Sequence, residues 1–377
     1  MKKVVSIVLN DFRHDSRVLK ECRSLINAGY EVAVLAMHSA DLPEQENRDG
    51  LQVYRVPISS RNLPGNIFFS AIKYLHLLIK MRRIAKQYDI IHCNDIEALP
   101  IGVSVKLNCQ AKRVVYDAHE YETEKSGVQG FRKKLLKIFE RLFIRFADRV
   151  ITVGDKIAEA YAKMYQMPEP AVVMNCPYLH KKTFNRSLLR ETLSIGPGQI
   201  ILISQGTLTP DRGIRESMEA LIASGRKDIE LVFMGYGSME EEIKTASQKQ
   251  PNIHLLPAVP PEEVLNYTAG ADMGLNLIEN NSLSYYFSLP NKFFEYIHAG
   301  LGIISWPSLE VKQIIEESGA GIITSDFTSD ALKEVLKTLD KAEIQHAKEQ
   351  AEKLKYKYNW ERQETVLLDV YKSLYKS

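Results

Sequence analysis

The sequence lacks several features that would place it outside the ordinary globular proteins. No apolar run reaches the length of about 18 residues that a membrane-spanning helix needs. The four cysteines have no Cys-x-x-Cys spacing, and the chain contains no internal repeat, no low-complexity tract and no Asp-x-Asp sequence. These absences predict a chain without membrane spans, in a reducing cytoplasm and without a structural metal.

The length of 377 residues exceeds that of one common globular core, so it predicts two domains of similar size. A hydrophobic content of 45% and a charged content of 25% are typical of globular proteins. The apolar N-terminal run, residues 4–9, stops at the charged segment 11–15. It therefore predicts a buried first strand and not a signal peptide.

The formal net charge of +2 conceals an uneven distribution along the chain. Residues 1–180 hold 27 Lys and Arg against 20 Asp and Glu, whereas the remainder holds 22 against 27. Much of the excess lies in two segments, Asn66 to Lys86 and Phe131 to Arg149, which mix basic and long apolar side chains. Such segments predict either basic amphipathic helices on an anionic membrane surface or helices with one core face and one solvated face. Because no nucleic-acid motif accompanies the charge, no nucleic-acid partner is expected.

Short β-branched runs alternate with helical patterns along the whole chain, and the polar run 185–198 is typical of a linker. This alternation predicts an α/β fold of two Rossmann-like doubly wound domains that face a central cleft. The expected domains are residues 1–185 and residues 186–358. Residues 359–377 are expected to form a terminal helix that packs back on the N-terminal domain.

The segment 288–300 (SLPNKFFEYIHAG) predicts a loop followed by a helix, with Pro290 and Asn291 at the turn. A helix N-terminus offers unpaired backbone amides and a partial positive charge, which suit a phosphate group. Lys292 adds a cation there, and Glu295 adds a carboxylate that can accept hydrogen bonds from two hydroxyls. These groups are what a nucleoside diphosphate needs, although the segment also suits an amphipathic core helix behind an ordinary turn.

Two further sites follow predicted strands in the second half. Gly206 allows a ligand to approach the backbone closely, and Arg212 and Gly213 open the next helix, where Arg212 can form a bidentate contact with a diphosphate. The backbone amides of Ala258 and Val259 can bind the edge of a base. A solvated arginine in a tight turn is the alternative interpretation of the first site.

In the first half, His119 follows a buried strand and is expected either to project into the cleft or to be a surface loop histidine. The glycine turn of Leu231–Gly237 lacks the G-x-G-x-x-G spacing with an acidic partner, so a nicotinamide cofactor is not supported and no cofactor is expected.

Taken together, these strand-end segments resemble the retaining family 4 glycosyltransferases with the GT-B fold, and the resemblance covers nearly the whole chain. It implies that the donor diphosphate lies at the loop from Gly206 through Thr207 to Gly213, that Glu295 holds the ribose and that His119 contacts the donor sugar. It also implies catalytic roles for Arg212, Lys292 and His119. The segments 267–272 (YTAGAD) and 358–360 (YNW) are similar to the family as well.

The sequence departs from the family pattern at three places. Phe287 stands where the first Glu of the family's E-x7-E motif is expected, and Thr207 stands where its glycine loop has a first cation. We expect Lys292 to supply the missing positive charge. The first strand lacks a Gly-Gly turn, and the segment that replaces it contains three expected acceptor-side residues, Asn10, Asp11 and His14.

The resemblance implies transfer of a sugar from a nucleoside diphosphate, with UDP favoured, to a hydroxyl with retention of the anomeric configuration. No carboxylate pair for a double displacement is evident, so a front-face route is expected. The missing Asp-x-Asp sequence argues against a metal-dependent GT-A mechanism, and no divalent ion is expected.

A basic N-terminal domain suits a lipid-linked glycan acceptor, with the protein held at the inner face of a bacterial plasma membrane for surface-polysaccharide assembly. Two alternatives stay open from the sequence. One is a GT-B nucleotide-sugar epimerase, and the other is a non-catalytic nucleotide-sugar binding protein, which Phe287 in place of a carboxylate would favour.

Overall fold

The computed structural model describes residues 1–58, 67–109, 112–179 and 183–375. Contacts within the chain divide it into two compact units: Met1–Val173 with the C-terminal segment from Glu364, and Met174–Gln363. Each unit contains one sheet that is wholly or mainly parallel, with helices connecting its strands. The α/β fold class with two parallel sheets is therefore confirmed.

The first unit contains an eight-stranded sheet of order β3-β4-β2-β1-β5-β6-β7-β8. Its strands are β1 (Lys3–Ile7), β2 (Glu31–Met37), β3 (Gln45–Arg48), β4 (Leu51–Val56), β5 (Ile90–Asn94), β6 (Arg113–Ala118), β7 (Arg149–Thr152) and β8 (Ala171–Val172). Its helices are α1 (Ser16–Asn27), α2 (Ile67–Ala85), α3 (Asp95–Lys106), α4 (Gly130–Ile144) and α5 (Asp155–Tyr165), with a 3-10 turn at Glu122–Glu124. Only β3 runs antiparallel to its neighbour.

The second unit contains a six-stranded parallel sheet of order β11-β10-β9-β12-β13-β14. Its strands are β9 (Ile200–Thr207), β10 (Ile229–Tyr236), β11 (Ile253–Pro257), β12 (Met273–Asn276), β13 (Gly302–Ser305) and β14 (Gly321–Ile323). Its helices are α6 (Leu188–Leu193), α7 (Ile214–Ser224), α8 (Glu240–Lys249), α9 (Val264–Thr268), α10 (Leu283–Tyr286), α11 (Asn291–Ala299), α12 (Leu309–Ser318), α13 (Ser329–Thr338) and α14 (Lys341–Leu354), with a 3-10 turn at Pro210–Arg212.

Alternate residues of the second sheet enter two separate hydrophobic clusters. Ile201 and Ile203 of β9 pack with Phe293 of α11 in one cluster. Ile200 and Leu202, which point to the opposite face, pack in the other cluster with residues of α7 and α13. Because successive side chains of a strand alternate between faces, both faces of this sheet are covered by helices. This arrangement is the doubly wound one that the alternation of strands and helices predicts.

The predicted linker 185–198 is wrong in one respect, because α6 lies within it. Leu189 of α6 is fully buried and joins the core cluster that contains Phe293, so the segment belongs to the packed second unit. Its polar and glycine residues had suggested an exposed connection, but one buried leucine is enough to anchor a short helix.

The terminal helix α15 (Trp360–Ser373) contributes its last ten residues to the first unit. The Tyr371 hydroxyl lies 2.7 Å from Nδ1 of His92 in β5, and the Tyr371 ring packs edge-on against Tyr30. Arg149 of β7 donates hydrogen bonds to Ser373. Within the described ranges, no helix combines the length and apolarity needed to cross a membrane.

Candidate active site

The predicted donor-binding residues of the second unit follow the C-terminal ends of its strands or begin the helix α11. Gly206 and Thr207 end β9, Ala258 and Val259 follow β11, and Pro290 is the N-cap of α11. In open parallel sheets this edge is where ligands bind.

Two glycines shape the loop after β9 for different reasons. Gly206 has a φ of +105°, and no atom lies within 4 Å of the place where a Cβ would stand, so the backbone there is open to a ligand. Gly213 has a φ of +66°, and a Cβ there would lie 2.4 Å from the Cβ of Leu277. The first glycine therefore leaves room, and the second permits close packing between the start of α7 and the segment after β12.

Arg212 is oriented by neighbours that the sequence had not indicated. Its guanidinium lies 5.2 Å from the centre of the Tyr285 ring, and its Nε lies 3.7 Å from the Asp211 carboxylate. Asp211 in turn accepts hydrogen bonds from the hydroxyls of Thr209 and Tyr285. These contacts hold the pKa of Asp211 below its usual value against the opposing effect of burial, so the carboxylate stays charged and keeps Arg212 in place.

Lys292 lies in the electrostatic field of Arg212, so the structure brings together the two predicted cations. Burial, followed by repulsion from Arg212, lowers the pKa of Lys292 to about 7, although Glu295 and Asp211 oppose the change. Among the described residues, Lys292 has no hydrogen-bond or ion-pair partner. An anion that entered this space would relieve the repulsion between the two side chains and favour the charged form of Lys292.

The N-terminus of α11 has no side-chain cap within the described part of the chain. Phe293 N–H donates to the Pro290 carbonyl, whereas the first two helical amides, of Asn291 and Lys292, precede the point where intrahelical partners exist. The Asn291 side-chain oxygen accepts from Asn175 and does not turn back onto the helix. These amides are therefore available to an anion beside Lys292.

Glu295, one turn into α11, is held by residues from two other elements. The Gln205 side-chain amide donates to Glu295 Oε2 over 2.6 Å, and the oxygen of that amide accepts from the Thr268 hydroxyl. The Gln205 backbone N–H donates to the Tyr296 hydroxyl over 3.2 Å. Sequence reasoning missed Gln205 and Thr268, although Gln205 stands directly before Gly206.

Three other predicted positions contribute less chemistry. Ala258 and Thr207 are exposed, and Val259 is half-buried against the hydrophobic cluster that contains Phe293. Phe287 is the C-cap of α10 and packs on Tyr286 with ring centres 5.7 Å apart. An aromatic pair therefore stands where the sequence comparison places the family's first glutamate.

His119 follows β6 in the first unit, and both nitrogens of its ring face other residues of that unit. Nε2 lies 3.2 Å from Asn94 Oδ1 and 3.4 Å from Asp117 Oδ2, and Nδ1 lies 3.7 Å from Asp95 Oδ2. Burial lowers the pKa of His119, but the carboxylates of Asp95 and Asp117 outweigh it and raise the pKa to about 9. The ring is half-buried and not the freely solvated histidine of a surface loop.

The predicted acceptor-side residues Asn10, Asp11 and His14 lie between β1 and α1. The Asn10 side chain donates to Asp15 and accepts from the backbone N–H of Phe12. Phe12 has a left-handed backbone with a φ of +54°. Two arginines that sequence reasoning missed also fix this loop. Arg48 of β3 donates to the Phe12 carbonyl, and Arg55 of β4 donates to the Asp11 carbonyl. Side-chain hydrogen bonds therefore fix the conformation of this loop, whereas a Gly-Gly turn would depend on the wide φ and ψ range of glycine.

A buried ion-pair network lies behind His119. Arg17 of α1 donates to both oxygens of Asp117 and lies 3.1 Å from Glu21 Oε1. His92 Nε2 lies 3.5 Å from Asp117 and 3.6 Å from Glu21. Ligand atoms of Glu21, His92 and Asp117 lie within 4.8 Å of one another, a spacing that suits a metal ion. However, the Arg17 guanidinium already supplies the positive charge for both carboxylates, so we interpret the group as an ion-pair network.

The helices α2 and α4, which both pack on α3, expose apolar side chains at helical spacing. On α4 the exposed fraction reaches 75% for Phe131 and 56% for Ile138, and the exposed apolar side chains of the two helices are Ile72, Leu75, Ile79, Phe131, Leu135, Ile138 and Leu142. Such stripes are unusual on helices that only cover a sheet. The basic segment predicted from Asn66 begins outside the described residues, which resume at Ile67.

The basic side chains of α4 do not all face solvent as predicted. Lys133 and Lys137 form ion pairs with the buried Glu124. Arg132 and Lys134 are exposed and have no ion-pair partner among the described residues. The solvated basic face of α4 is therefore narrower than its sequence suggests, because two of its lysines neutralise a buried carboxylate.

The chain is similar in sequence and in fold to known glycosyltransferases. Residues 16–178 match the Glycosyltransferase Family 4 domain, and residues 216–360 match the C-terminal domain of the glucosyltransferase 3-like proteins. An uncharacterized glycosyltransferase of Methanocaldococcus jannaschii is 26% identical over 230 residues, a match that spans 58% of each chain. The chitobiosyldiphosphodolichol beta-mannosyltransferase of Debaryomyces hansenii is 21% identical over 88% of this chain and 78% of its own.

Among solved structures, Anabaena HepE in complex with UDP is similar over 99% of this chain and 100% of its own, with a TM-score of 0.76 and 14% identity. HepE has also been solved with UDP-glucose. Similarity at this identity shows a shared fold, and the two sequence matches cover both halves of the chain. The chain therefore contains a family 4 glycosyltransferase domain over residues 16–178 and has the GT-B fold.

Proposed function

We propose that the protein transfers a sugar from a nucleoside-diphosphate donor to a hydroxyl of a lipid-linked glycan. The observation that carries this proposal is the proximity of Arg212 and Lys292 beside the uncapped N-terminus of α11. Two cations and free backbone amides form a site for a diphosphate, and Glu295 lies one helical turn away, where a ribose would present its hydroxyls.

In the proposed reaction, negative charge grows on the diphosphate as its bond to the anomeric carbon breaks. Arg212, Lys292 and the α11 amides stabilise that charge because they are oriented before the reaction begins. The acceptor oxygen forms the new bond to the anomeric carbon, and its proton passes to an oxygen of the departing diphosphate.

Retention of configuration by this front-face route is supported by how the carboxylates of the site are used. Asp211 is engaged by Thr209 and Tyr285, and Glu295 is engaged by Gln205. Neither is free to serve as the nucleophile of a double displacement. Phe287 adds no carboxylate, and the cations already neutralise the diphosphate, so the reaction is proposed to need no divalent ion.

UDP is the favoured nucleotide, because HepE has been solved with UDP and with UDP-glucose. The lipid-linked acceptor is supported by the name of the fungal relative, which specifies a diphosphodolichol-linked chitobiose. The apolar stripes of α2 and α4, together with the exposed Arg132 and Lys134, suit the surface of an anionic membrane. We propose a peripheral location at the inner face of a bacterial plasma membrane, in surface-polysaccharide assembly.

Thermal unfolding with UDP, GDP, ADP and their sugars tests the donor. A nucleotide at about one hundred times its Kd should stabilise the protein by about 2.7 kcal/mol. Stabilisation by GDP and not by UDP would overturn the nucleotide choice.

Transfer assays with lipid-linked glycan acceptors test the reaction, and the anomeric configuration of the product is read by NMR. We expect turnover in EDTA with retention of configuration. Epimerisation of the donor without any acceptor would favour an epimerase, and donor binding without turnover under any acceptor would favour a binding protein.

A further inference from the structure

We propose that Asn94 and Asp95 are positioning residues that hold His119 doubly protonated, so that His119 acts in sugar transfer as a cationic hydrogen-bond donor and not as the base for the acceptor hydroxyl. The inference deepens the proposed function and rests on it. It concerns the first unit alone, where the three residues meet at the C-terminal ends of β5 and β6.

The orientation of the Asn94 side chain determines the proton on one ring nitrogen. Its Nδ2 donates to Ser6 Oγ over 2.8 Å and to the Ile7 carbonyl over 3.0 Å. Both hydrogens of the amide are therefore used, and its oxygen must face His119 Nε2 at 3.2 Å. Because a carbonyl oxygen can only accept, Nε2 carries a proton.

Asp95 provides for the second proton. Its carboxylate lies 3.7 Å from Nδ1 of His119, and its other oxygen accepts the His119 backbone N–H over 3.3 Å. Asp95 adopts a left-handed backbone with a φ of +63° at the start of α3. This conformation is unfavourable for a residue other than glycine, and it directs both carboxylate oxygens of Asp95 to His119.

The charges around His119 favour the doubly protonated ring on balance. Asp117 of β6 lies 3.4 Å from His119 Nε2 and also forms an ion pair with Arg17. The positive charge of Arg17 lowers the pKa of His119 and so opposes the second proton. Glu122 forms an ion pair with Lys125. Burial, followed by the Asp95 carboxylate, raises the pKa of Glu122 well above its usual range. The remaining charged or titratable groups of the network are Glu21 of α1 and His92 of β5.

An imidazolium has two donors and no acceptor, so it cannot take a proton from an incoming hydroxyl. It can donate a hydrogen bond to an oxygen of a bound substrate. The assignment leaves the departing diphosphate as the proton acceptor, in agreement with the front-face route. A histidine base, in contrast, would have to be neutral on at least one nitrogen at the working pH.

The first test measures the protonation of His119 directly by NMR titration of the full chain, with the His119→Asn variant to assign the signal. We expect the ring to titrate near pH 9. Asp95→Asn should lower that midpoint by about one to three pH units, because the nearby opposite charge is removed. Asp95→Gly removes the same carboxylate while accepting the left-handed backbone, so it checks that the shift does not come from misfolding. A wild-type midpoint at or below the ordinary value of about 6.5 would overturn the proposal.

The second test is the pH dependence of kcat/KM for sugar transfer. A cationic donor gives activity that falls through the titration of His119, above the separate fall that Lys292 causes near pH 7. Asp95→Asn should move only the upper fall to lower pH. A base gives activity that rises as His119 loses its proton, which would contradict the inference. The NMR test needs no turnover, so a correct midpoint in a protein that transfers no sugar would reject the proposed function and leave the protonation of His119 established.

Discussion

The Gln205 side-chain amide donates a hydrogen bond of 2.6 Å to Oε2 of Glu295. Because the Gln205 amide oxygen accepts from the Thr268 hydroxyl, the amide cannot flip without losing both contacts. Glu295 is therefore oriented before a nucleotide binds, and less conformational entropy is lost when ribose hydroxyls bind to it.

Glu295→Ala should weaken UDP binding by about 1.5–3 kcal/mol, the usual cost of losing a charged hydrogen-bond partner. Glu295→Gln, which keeps one acceptor oxygen, should lose less. Isothermal titration calorimetry with UDP measures both, and Glu262→Ala, an exposed glutamate of the same unit, is the matched control. An unchanged Kd for Glu295→Ala would remove this residue from the ribose site.

UDP binding should take up a proton near pH 8. The pKa of Lys292 is about 7 in the free protein, so the lysine is mostly neutral at that pH. The bound diphosphate favours the charged form and raises this pKa, so binding should also strengthen as the pH falls toward 7. Calorimetry in buffers of different ionisation enthalpy counts the proton, and Lys292→Met should abolish the uptake. Equal uptake in that variant would place the titrating group elsewhere.

Arg212→Ala and Lys292→Ala should lower kcat more than they weaken donor binding, because both side chains face charge that grows as the diphosphate leaves. A loss of about 10²–10³ in kcat is typical for one preorganised stabilising group. Thr207→Arg should partly restore Lys292→Ala but not Glu295→Ala, which serves as the control. Full steady-state activity in folded Lys292→Ala would exclude the lysine from the reaction.

Gly213→Ala should destabilise the protein more than Gly225→Ala, although both glycines flank α7 with a positive φ. At Gly225 no atom lies near the new Cβ, so the cost is backbone strain of about 1–2 kcal/mol. At Gly213 the Cβ would also lie 2.4 Å from Leu277, and overpacking adds about 1–3 kcal/mol. Urea unfolding of the two variants tests the difference. Equal stabilities would show that the segment after β12 can move away from the new Cβ at no cost in stability.

The protein should bind anionic vesicles at low salt and detach as the salt concentration rises. Arg132→Glu with Lys134→Glu should weaken binding, since each basic group near such a surface contributes about 1 kcal/mol. Lys133 and Lys137 are unsuitable for this test, because they pair with the buried Glu124 and their reversal would destabilise the fold.

Lys163→Glu with Lys227→Glu is the control for the vesicle experiment, because it changes the net charge equally at exposed lysines outside α2 and α4. Phe131→Ser tests the apolar stripe at constant charge. Cosedimentation that responds to neither salt nor these changes would leave α2 and α4 as ordinary covering helices.

The alternation of β-branched runs with helical patterns predicted the parallel sheets of both units, because such runs are buried on both faces of a parallel sheet. It missed β3, whose residues Gln45–Arg48 carry no apolar side chain. That strand forms by pairing with β4 in a hairpin, where Asp49 and Gly50 both have positive φ. Its stability depends on a neighbour and a turn, and neither leaves a hydrophobic pattern.

The sequence indicated the candidate site through single charged residues in the loop after β9 or in the first turns of α11, namely Arg212, Lys292 and Glu295. The side chains that orient these residues could not be predicted, because Tyr285, Gln205 and Thr268 act through contacts between elements far apart in sequence. Asn94 and Asp95 offered a usable signal, since Asn94 ends a buried strand and Asp95 directly follows it. Their relation to His119 depends on the pairing of β5 with β6, which sequence alone does not fix.

The path of the chain through α15 affects how the protein is made. Leu367, Tyr371 and Leu374 are buried and complete the core of the first unit, yet they are synthesised after the whole of the second. During synthesis, Tyr30 and His92 of the first unit therefore cannot form their contacts with Tyr371 until every residue of the second unit has been joined to the chain. The unit that is translated first thus depends for its complete core on the residues that are translated last.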